Sequence, residues 1–298
     1  MNIIEKVENV SRKPKVVTIG NFDGIHKGHQ SLIRKTKEIS STENLESLIF
    51  TFHKLPEEIF NPRIFQRIYN NKVKFDYIKS YSINTLLSID FNSIKNFSAN
   101  YFCEEILIKE LMMKYLVIGK NFKFGKGREG NIDKLKEYDK AGDFHLITPE
   151  LEEYDNKHIS STRIRALLND GDFSSVNNCL GREYMLRGTV TTGEKLGRKL
   201  GYPTANILLE HDYPLDGVYL CKICIDSVFY YGLASVGNKP TYDGKEKILE
   251  VFILNFDQDI YNKEVEVYFL EMIRNQIKFD SQDELIKQMN EDHKYAII

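Results

Sequence analysis

The stretch Val16–Ile33 reads VVTIGNFDGIHKGHQSLI. An apolar run stops at Gly20, a glycine-rich turn carries two histidines three residues apart, and a helix-like pattern follows. On a strand–loop–helix unit, Gly20, Gly24 and Gly28 let the backbone come close to a ligand. The helix start offers unpaired N–H groups and the positive end of its dipole. His26 and His29 can project from one side of that first turn, and the combination suits phosphate charge. Two other readings stay open: a zinc site with Asp23 as third ligand, and a pair of surface histidines.

Working outward, strand candidates alternate with helical patterns through the first half. KVVTIG precedes GHQSLIRKTKEIS; LESLIFTF, NTLLSIDF and YLVIGKNF are further strands. SANYFCEEILIKELM has helical spacing with Ser98 placed as its cap. Strands separated by such helices predict βαβ units in a parallel, doubly wound sheet. From Gly188 the texture changes to short strands: GTVTTG, PTANILL, GVYLCKICI, SVFYYGLASVG, KILEVFILNF and EVEVYFLEMI, with Asp226-Ser227 and Asn262-Lys263 as turn pairs. This spacing predicts an antiparallel barrel or sandwich. The tail, FDSQDELIKQMNEDHKYA, reads as a helix with Ser281 and Glu284 forming a capping box. Two domains result, residues 1–180 and 181–298.

The 298 residues are 42% hydrophobic and 28% charged, enough apolar mass for two cores. A net charge of -2 supplies no global basic field for nucleic acid, so phosphate must be bound by local groups. The opening MNIIEKVENVSRKPK breaks its apolar residues with Asn, Glu and Lys, unlike a signal peptide. No window approaches the roughly 18 apolar residues that span a membrane. A cytoplasmic chain is expected, with no membrane association, no nucleic-acid partner and no obligate protein partner. Cys221 and Cys224 spell C-x-x-C on a strand, where residues three apart face opposite ways; they read as small apolar fillers.

Two glycine patterns fail on context. GKGREG, Gly125–Gly130, has the letters of a dinucleotide fingerprint, but KNFKF separates it from the strand ending at Gly119. GKNFKFGKG has five residues, where a phosphate loop has four, between Gly119 and Gly125, and Gly127 stands where Ser or Thr is needed. ISSTRIRALLNDG, Ile159–Gly171, is a better candidate. Ser160, Ser161 and Thr162 can cap a helix start, and Arg165 lies in its first turn. Hydroxyls, free N–H groups and a guanidinium at one helix end suit polyphosphate, although a plain N-cap with solvent-facing arginines has the same letters.

GNFDGIHKGH, GKNFKFG and ISSTRIR together resemble the adenylyltransferase module of bacterial bifunctional riboflavin kinase/FAD synthetases, a nucleotidyltransferase with an HxGH signature. LGREYMLRGTV, GRKLGYPTANI, DGVYL, VGNKPT, LEVFILNF and IRNQIKF resemble the riboflavin kinase module, in the right order. The resemblance implies a Rossmann-like nucleotidyltransferase domain of α/β class followed by an antiparallel β-barrel with a C-terminal helix. It also implies two reactions, with ATP, riboflavin and FMN as substrates and Mg²⁺ as cofactor.

The two reactions need different groups. FMN phosphate has a second pKa of about 6 and attacks the α-phosphorus of ATP already ionised, so no base is required. Alignment and charge stabilisation remain, which suits His26, His29 and Arg165 as catalytic donors. The turn residues Gly20, Phe22, Asp23, Gly24 and Gly28, then Asn121 and Ser160, Ser161 and Thr162, are expected to bind ligand. Asn121 stands where the family more often has Asp, Phe252 where relatives often have His, and TFHKLP departs from the usual FEPHP-like block. Riboflavin's 5′-hydroxyl, in contrast, needs a base. Glu250 lies in the apolar strand KILEVFILNF, where a carboxylate is rarely kept without a partner or task; a strand-end Glu reaching solvent is the alternative. The resemblance also makes Glu250 the base. Thr204 and Asn206, two apart in GYPTAN, present oxygens on one side and suit Mg²⁺. GEKLGRKLG is expected to be a nucleotide flap, with Gly193, Lys195, Arg198, Gly201 and the adjoining Pro203 at ATP or flavin, and Arg274 on the flavin or nucleotide side. Other outcomes stay open: a single active module, a flavin-binding regulatory protein without turnover, or a transferase for another phosphate monoester.

Overall fold

The apolar run ahead of Gly20 forms a fully buried strand inside a six-stranded sheet. The computed structural model describes residues 1–62, 64–150, 152–193, 202–241 and 244–297. Its contacts divide into two units: Met1–Phe65 with Asn71–Ser161, and Gln66–Asn70 with Thr162–Ile298.

In the first unit the strands are β1 (Asn2–Ile4), β2 (Lys15–Ile19), β3 (Glu46–Lys54), β4 (Thr85–Asp90), β5 (Met113–Val117) and β6 (His145–Ile147). Their order is β1-β4-β3-β2-β5-β6 and every pairing is parallel. Helices α1 (Lys27–Thr42), α2 (Pro56–Phe60), α3 (Asn71–Lys79), α4 (Ala99–Tyr101, continuing as a π-helix over Phe102–Glu110) and α5 (Ile132–Ala141) accompany the sheet. A parallel sheet is covered on both faces, so its strands read as continuous apolar runs. Leu48 and Phe50 point to a core shared with Phe102, Ile106 and Leu107; Ile49 points the other way, to Phe22, Ile33 and Ile78. Ser98 caps α4 as expected, its hydroxyl accepting from Tyr101 N–H at 3.1 Å. A two-residue hairpin, β7 (Glu153–Tyr154) and β8 (Lys157–His158), leads to helix α6 (Ser161–Asn169). GKGREG is a tight turn in which Phe124 pairs with Gly130; α5 follows it, but the turn does not directly follow a strand, β5 ending at Val117, so the strand–turn–helix context of a dinucleotide fingerprint is missing.

The second unit is a closed barrel, which decides between barrel and sandwich. Its strands β9 (Met185–Thr191), β10 (Thr204–Leu208), β11 (Gly217–Ile225), β12 (Val228–Thr241), β13 (Gly244–Ile253) and β14 (Glu264–Arg274) run in the order β10-β13-β12-β11-β14-β9, all antiparallel. Asp226 and Ser227 both take positive φ, 49° and 67°, the two-residue turn that matches strand twist. Helix α7 (Phe173–Leu180) lays Phe173 on Phe269 and Tyr219, with ring centroids 5.8 and 5.7 Å apart. Residues 66–70 pack in this unit too: Arg67 N–H donates to the Asp212 carbonyl at 2.9 Å, and Tyr69 stacks on Tyr184 at 5.5 Å.

Helix α8 (Gln282–Ile297) closes the chain. Ser281 Oγ accepts from Glu284 N–H at 3.3 Å, while the Glu284 carboxylate reaches back to Asp280 N–H, one residue earlier than a full capping box. Arg274 ties the helix to the barrel: its Nε and Nη2 donate to Asp292 at 2.9 and 2.7 Å, and Asp292 is 5% exposed. Removing one partner of a mostly buried pair leaves the other charge uncompensated, at a cost of about 3 kcal/mol. Arg274→Leu is therefore expected to lower the urea midpoint without changing the slope; an unchanged midpoint would show that the latch contributes nothing.

Cys221 is buried and Cys224 half-exposed, on opposite sides of β11 as the alternation predicts. Burial pushes the Cys103 thiol up to about 12 and raises Cys221 as well. Since the thiolate is the reactive form, an aromatic disulfide reagent at pH 8 is expected to label Cys224 alone in the native protein. Rapid release from Cys103, Cys179 or Cys221 would contradict this burial.

Candidate active sites

Strands β2 and β5 lie side by side, and the chain leaves them toward opposite halves of the sheet. Such a switch point, at the carboxyl ends of parallel strands, is where α/β sheets bind ligands. Both the Gly20–His29 turn, which leaves β2, and the loop carrying Asn121, which leaves β5, emerge there.

The turn is tightly built. Phe22, Gly24 and Ile25 take positive φ of 50°, 83° and 41°. Phe22 is fully buried among Ile25, Ile33 and Ile78, with its ring 5.1 Å from that of His29. His26 is the N-cap of α1, its Nδ1 accepting from His29 N–H at 3.3 Å. A backbone N–H only donates, so Nδ1 carries the lone pair and the ring proton sits on Nε2. With Nδ1 accepting in the cap, the ring donates through Nε2–H. The two imidazoles stack, centroids 3.7 Å apart and 19° from parallel. A Cβ at Gly28 would meet the His26 ring at 3.2 Å. The N–H groups of Lys27 and Gly28 begin the helix and have no carbonyl behind them within it.

Asp23 is 3% exposed, and its carbonyl accepts from Ser161 Oγ at 2.8 Å. The start of ISSTRIR is thereby joined to the histidine turn, with Ser160 exposed alongside. Asn121 is exposed in its loop. Among the described residues no group of three or more His, Cys, Asp and Glu is placed to hold a metal, which leaves the zinc reading without support. Thr162 and Arg165 belong to the second unit, where Arg165 Nε donates to the Gln66 carbonyl at 2.7 Å.

In the barrel, β10 and β13 bring the second set together. Asn206 pairs with Glu250 and Thr204 with Phe252 in antiparallel register. Cross-strand partners of this kind face the same way with Cβ atoms about 5 Å apart. Leu249, Val251 and Ile253 fill the interior, so the half-buried Glu250 and Phe252 stand on the outer wall, with Ser235 of β12 also opposite Glu250. Gly193 lies against Asn206: a Cβ there would sit 2.2 Å from its Nδ2. Pro203 is exposed just before β10. Tyr202 and His293 of α8 set their rings edge-on to Phe252, at 5.1 and 5.6 Å. Arg274 spends its fork on Asp292, so it touches this site through α8. Lys195, Arg198 and Gly201 lie outside the described residues.

Residues 8–163 match the FAD synthetase family and residues 180–297 the riboflavin kinase family. A protein of Buchnera aphidicola (subsp. Schizaphis graminum) named bifunctional riboflavin kinase/FMN adenylyltransferase is 38% identical, over 98% of this chain and 96% of its own. One of the same name from Haemophilus influenzae is 36% identical, over 99% and 98%. The chain belongs to the bifunctional riboflavin kinase/FMN adenylyltransferase family. A solved structure from Streptococcus pneumoniae, described as a macrolide-efflux protein, is similar over 99% of this chain and 97% of its own, with a TM-score of 0.83 and 34% identity. Its description differs from those of the curated relatives, but its fold is the family's. Among the described residues no helix is long and apolar enough to cross a membrane.

Sequence reasoning missed how the family's histidine turn is held from behind. Asn21 Nδ2 donates to both carboxylate oxygens of Glu57, at 3.0 and 2.8 Å. Glu57 directly follows the departing TFHKLP block, in a helix of only five residues whose Pro56 start is its one visible signal.

Proposed function

We propose that this chain makes FMN from riboflavin and ATP, then FAD from FMN and a second ATP. What carries the reading is the presence of both family matches on one chain, each over residues with the side chains its chemistry needs. The division between the two reactions is taken near residue 180, with residues 1–180 as adenylyltransferase and 181–298 as kinase, and both are read as cytoplasmic.

In adenylyl transfer the FMN phosphate oxygen attacks the α-phosphorus of ATP, and the bond to pyrophosphate breaks. His26, through Nε2–H, and His29 donate to phosphate oxygens, joined by the first N–H groups of α1. Arg165 is a further phosphate donor on the resemblance alone. By resemblance, Asn121, Ser160, Ser161 and Thr162 bind ligand. In kinase chemistry the riboflavin 5′-hydroxyl attacks the γ-phosphorus, its proton passes to the Glu250 carboxylate, and ADP leaves. Asn206, across from that carboxylate, and Thr204, two residues away on the same strand, are neutral oxygen donors, a set that fits Mg²⁺, which favours oxygen ligands and few protein contacts. Bound there, the ion would neutralise phosphate charge.

Incubating the purified protein with Mg-ATP and either flavin, then resolving products by chromatography, tests this. Riboflavin should give FMN followed by FAD, and FMN should give FAD with release of pyrophosphate. FMN as the end product would reduce the chain to a kinase. Flavin bound without turnover would make it a binding protein.

A further inference from the structure

Lys74 of α3 is 2% exposed, and lysine is almost never buried so completely without partners that repay its desolvation. Its ammonium donates to the Asn21 carbonyl at 3.3 Å, to the Phe52 carbonyl at 2.8 Å and to Thr51 Oγ1 at 3.2 Å. Thr51 Oγ1 itself donates to the Asn21 carbonyl at 3.2 Å. One cation therefore gathers the carboxyl end of β3 and the second residue of the loop that leaves β2.

The residues after Asn21 explain why that matters. Phe22 and Ile25 are non-glycine residues at positive φ, on either side of Gly24. Side chains in that region persist only where the surroundings over-determine the backbone. Gln30 holds the Ile25 carbonyl and Ser161 the Asp23 carbonyl inside the turn, and Asn21 is where its entry is held: Glu57 fixes its amide, and Lys74 with Thr51 fixes its carbonyl. Four residues further on comes Ile25, then His26 with its cap. A carbonyl released at Asn21 would let the strained turn relax, and His26 and His29 would move with it. We infer that Lys74 is a positioning residue for FMN adenylyl transfer, holding the histidine turn through the Asn21 carbonyl. The inference rests on the adenylyltransferase reading for its effect on rate, and on the fold alone for its effect on the turn.

The test is Lys74→Met in the full chain, which keeps the stem and removes the ammonium. A misplacement of about 1 Å at reacting groups costs on the order of 100-fold. FAD formation from FMN should fall about 10- to 100-fold in kcat, with a KM for FMN changed by less than about threefold. FMN formation from riboflavin, in the same sample, should stay at the wild-type rate. Amide hydrogen exchange should quicken across residues 20–29 and stay unchanged in the middle of α1 and in the barrel. Exchange at the turn needs no turnover, so it decides the inference even if the wild type makes no FAD, an outcome that would sink the functional reading instead. Unchanged exchange at residues 20–29 overturns the inference, as does a wild-type rate of FAD formation. Should Lys74→Met not fold, Thr51→Val removes only the shared hydroxyl; quickened exchange at the turn supports the inference and wild-type exchange overturns it.

Discussion

Glu250→Gln is expected to abolish FMN formation while FMN is still converted to FAD at the wild-type rate. The substitution keeps the shape of the side chain, its place opposite Asn206 and Ser235, and an oxygen that can accept a hydrogen bond. What disappears is the ability to take a proton. An alcohol is ionised to a negligible extent near neutrality, so its attack on the γ-phosphate depends on that ability. General bases contribute typically 10²- to 10⁴-fold, and kcat for FMN formation should fall by about 10³-fold with a smaller change in KM. Steady-state kinetics on both reactions from one preparation give the answer. A variant that still makes FMN would reduce Glu250 to an orienting group. Equal damage to both reactions would remove the division of labour between imidazoles and carboxylate.

The register that sets Glu250 against Asn206 was not legible in the sequence, although both strands were. Alternation along KILEVFILNF separates Glu250 from Leu249 and Val251, but nothing in either segment says which residue of β10 lies across from it. Register follows from the whole closed barrel. Strands β2 and β4 were legible because strands buried on both faces are mostly apolar, VVTI and LLSI here. Strands β1 and β6, three residues each, are too short to show a period. Residues 66–70 and helix α7 carried no sign of joining the barrel's unit, because contacts such as Tyr69 with Tyr184 and Phe173 with Phe269 are made by packing at long sequence separation. The histidine turn was found by its glycines and histidines. That His26 caps the helix was not, since caps are ordinarily sought among Ser, Thr, Asp and Asn. Lys74 gave no signal at all: Lys72 and Lys79 share its helix, and only the fold shows which of them is swallowed.

His29→Ala should do the reverse of Glu250→Gln, removing FAD formation and sparing FMN formation. The FMN phosphate already carries the charge it attacks with, so the protein's contribution is to align it and to stabilise charge on the departing pyrophosphate. Deleting one preorganised donor to developing negative charge costs about 10²- to 10³-fold in other enzymes, and a loss of that size in kcat/KM is expected here. The substitution spares the cap: the His29 backbone N–H, which alanine retains, still donates to His26 Nδ1, while the ring stacked on His26 is lost. His26→Ala differs in this respect. It removes a donor and the helix cap together, and should cost about 1 kcal/mol of stability in addition to activity. Comparing the two variants by urea unfolding and by FAD formation separates catalysis from capping. Both should lose the reaction, and only His26→Ala should lose stability. If His29→Ala unfolds as easily as His26→Ala, stacking of the two rings at 3.7 Å holds the turn together, and its loss of activity reports structure instead of charge. If His29→Ala keeps making FAD, the donor role passes to His26 Nε2–H and the helix start, which the variant leaves in place.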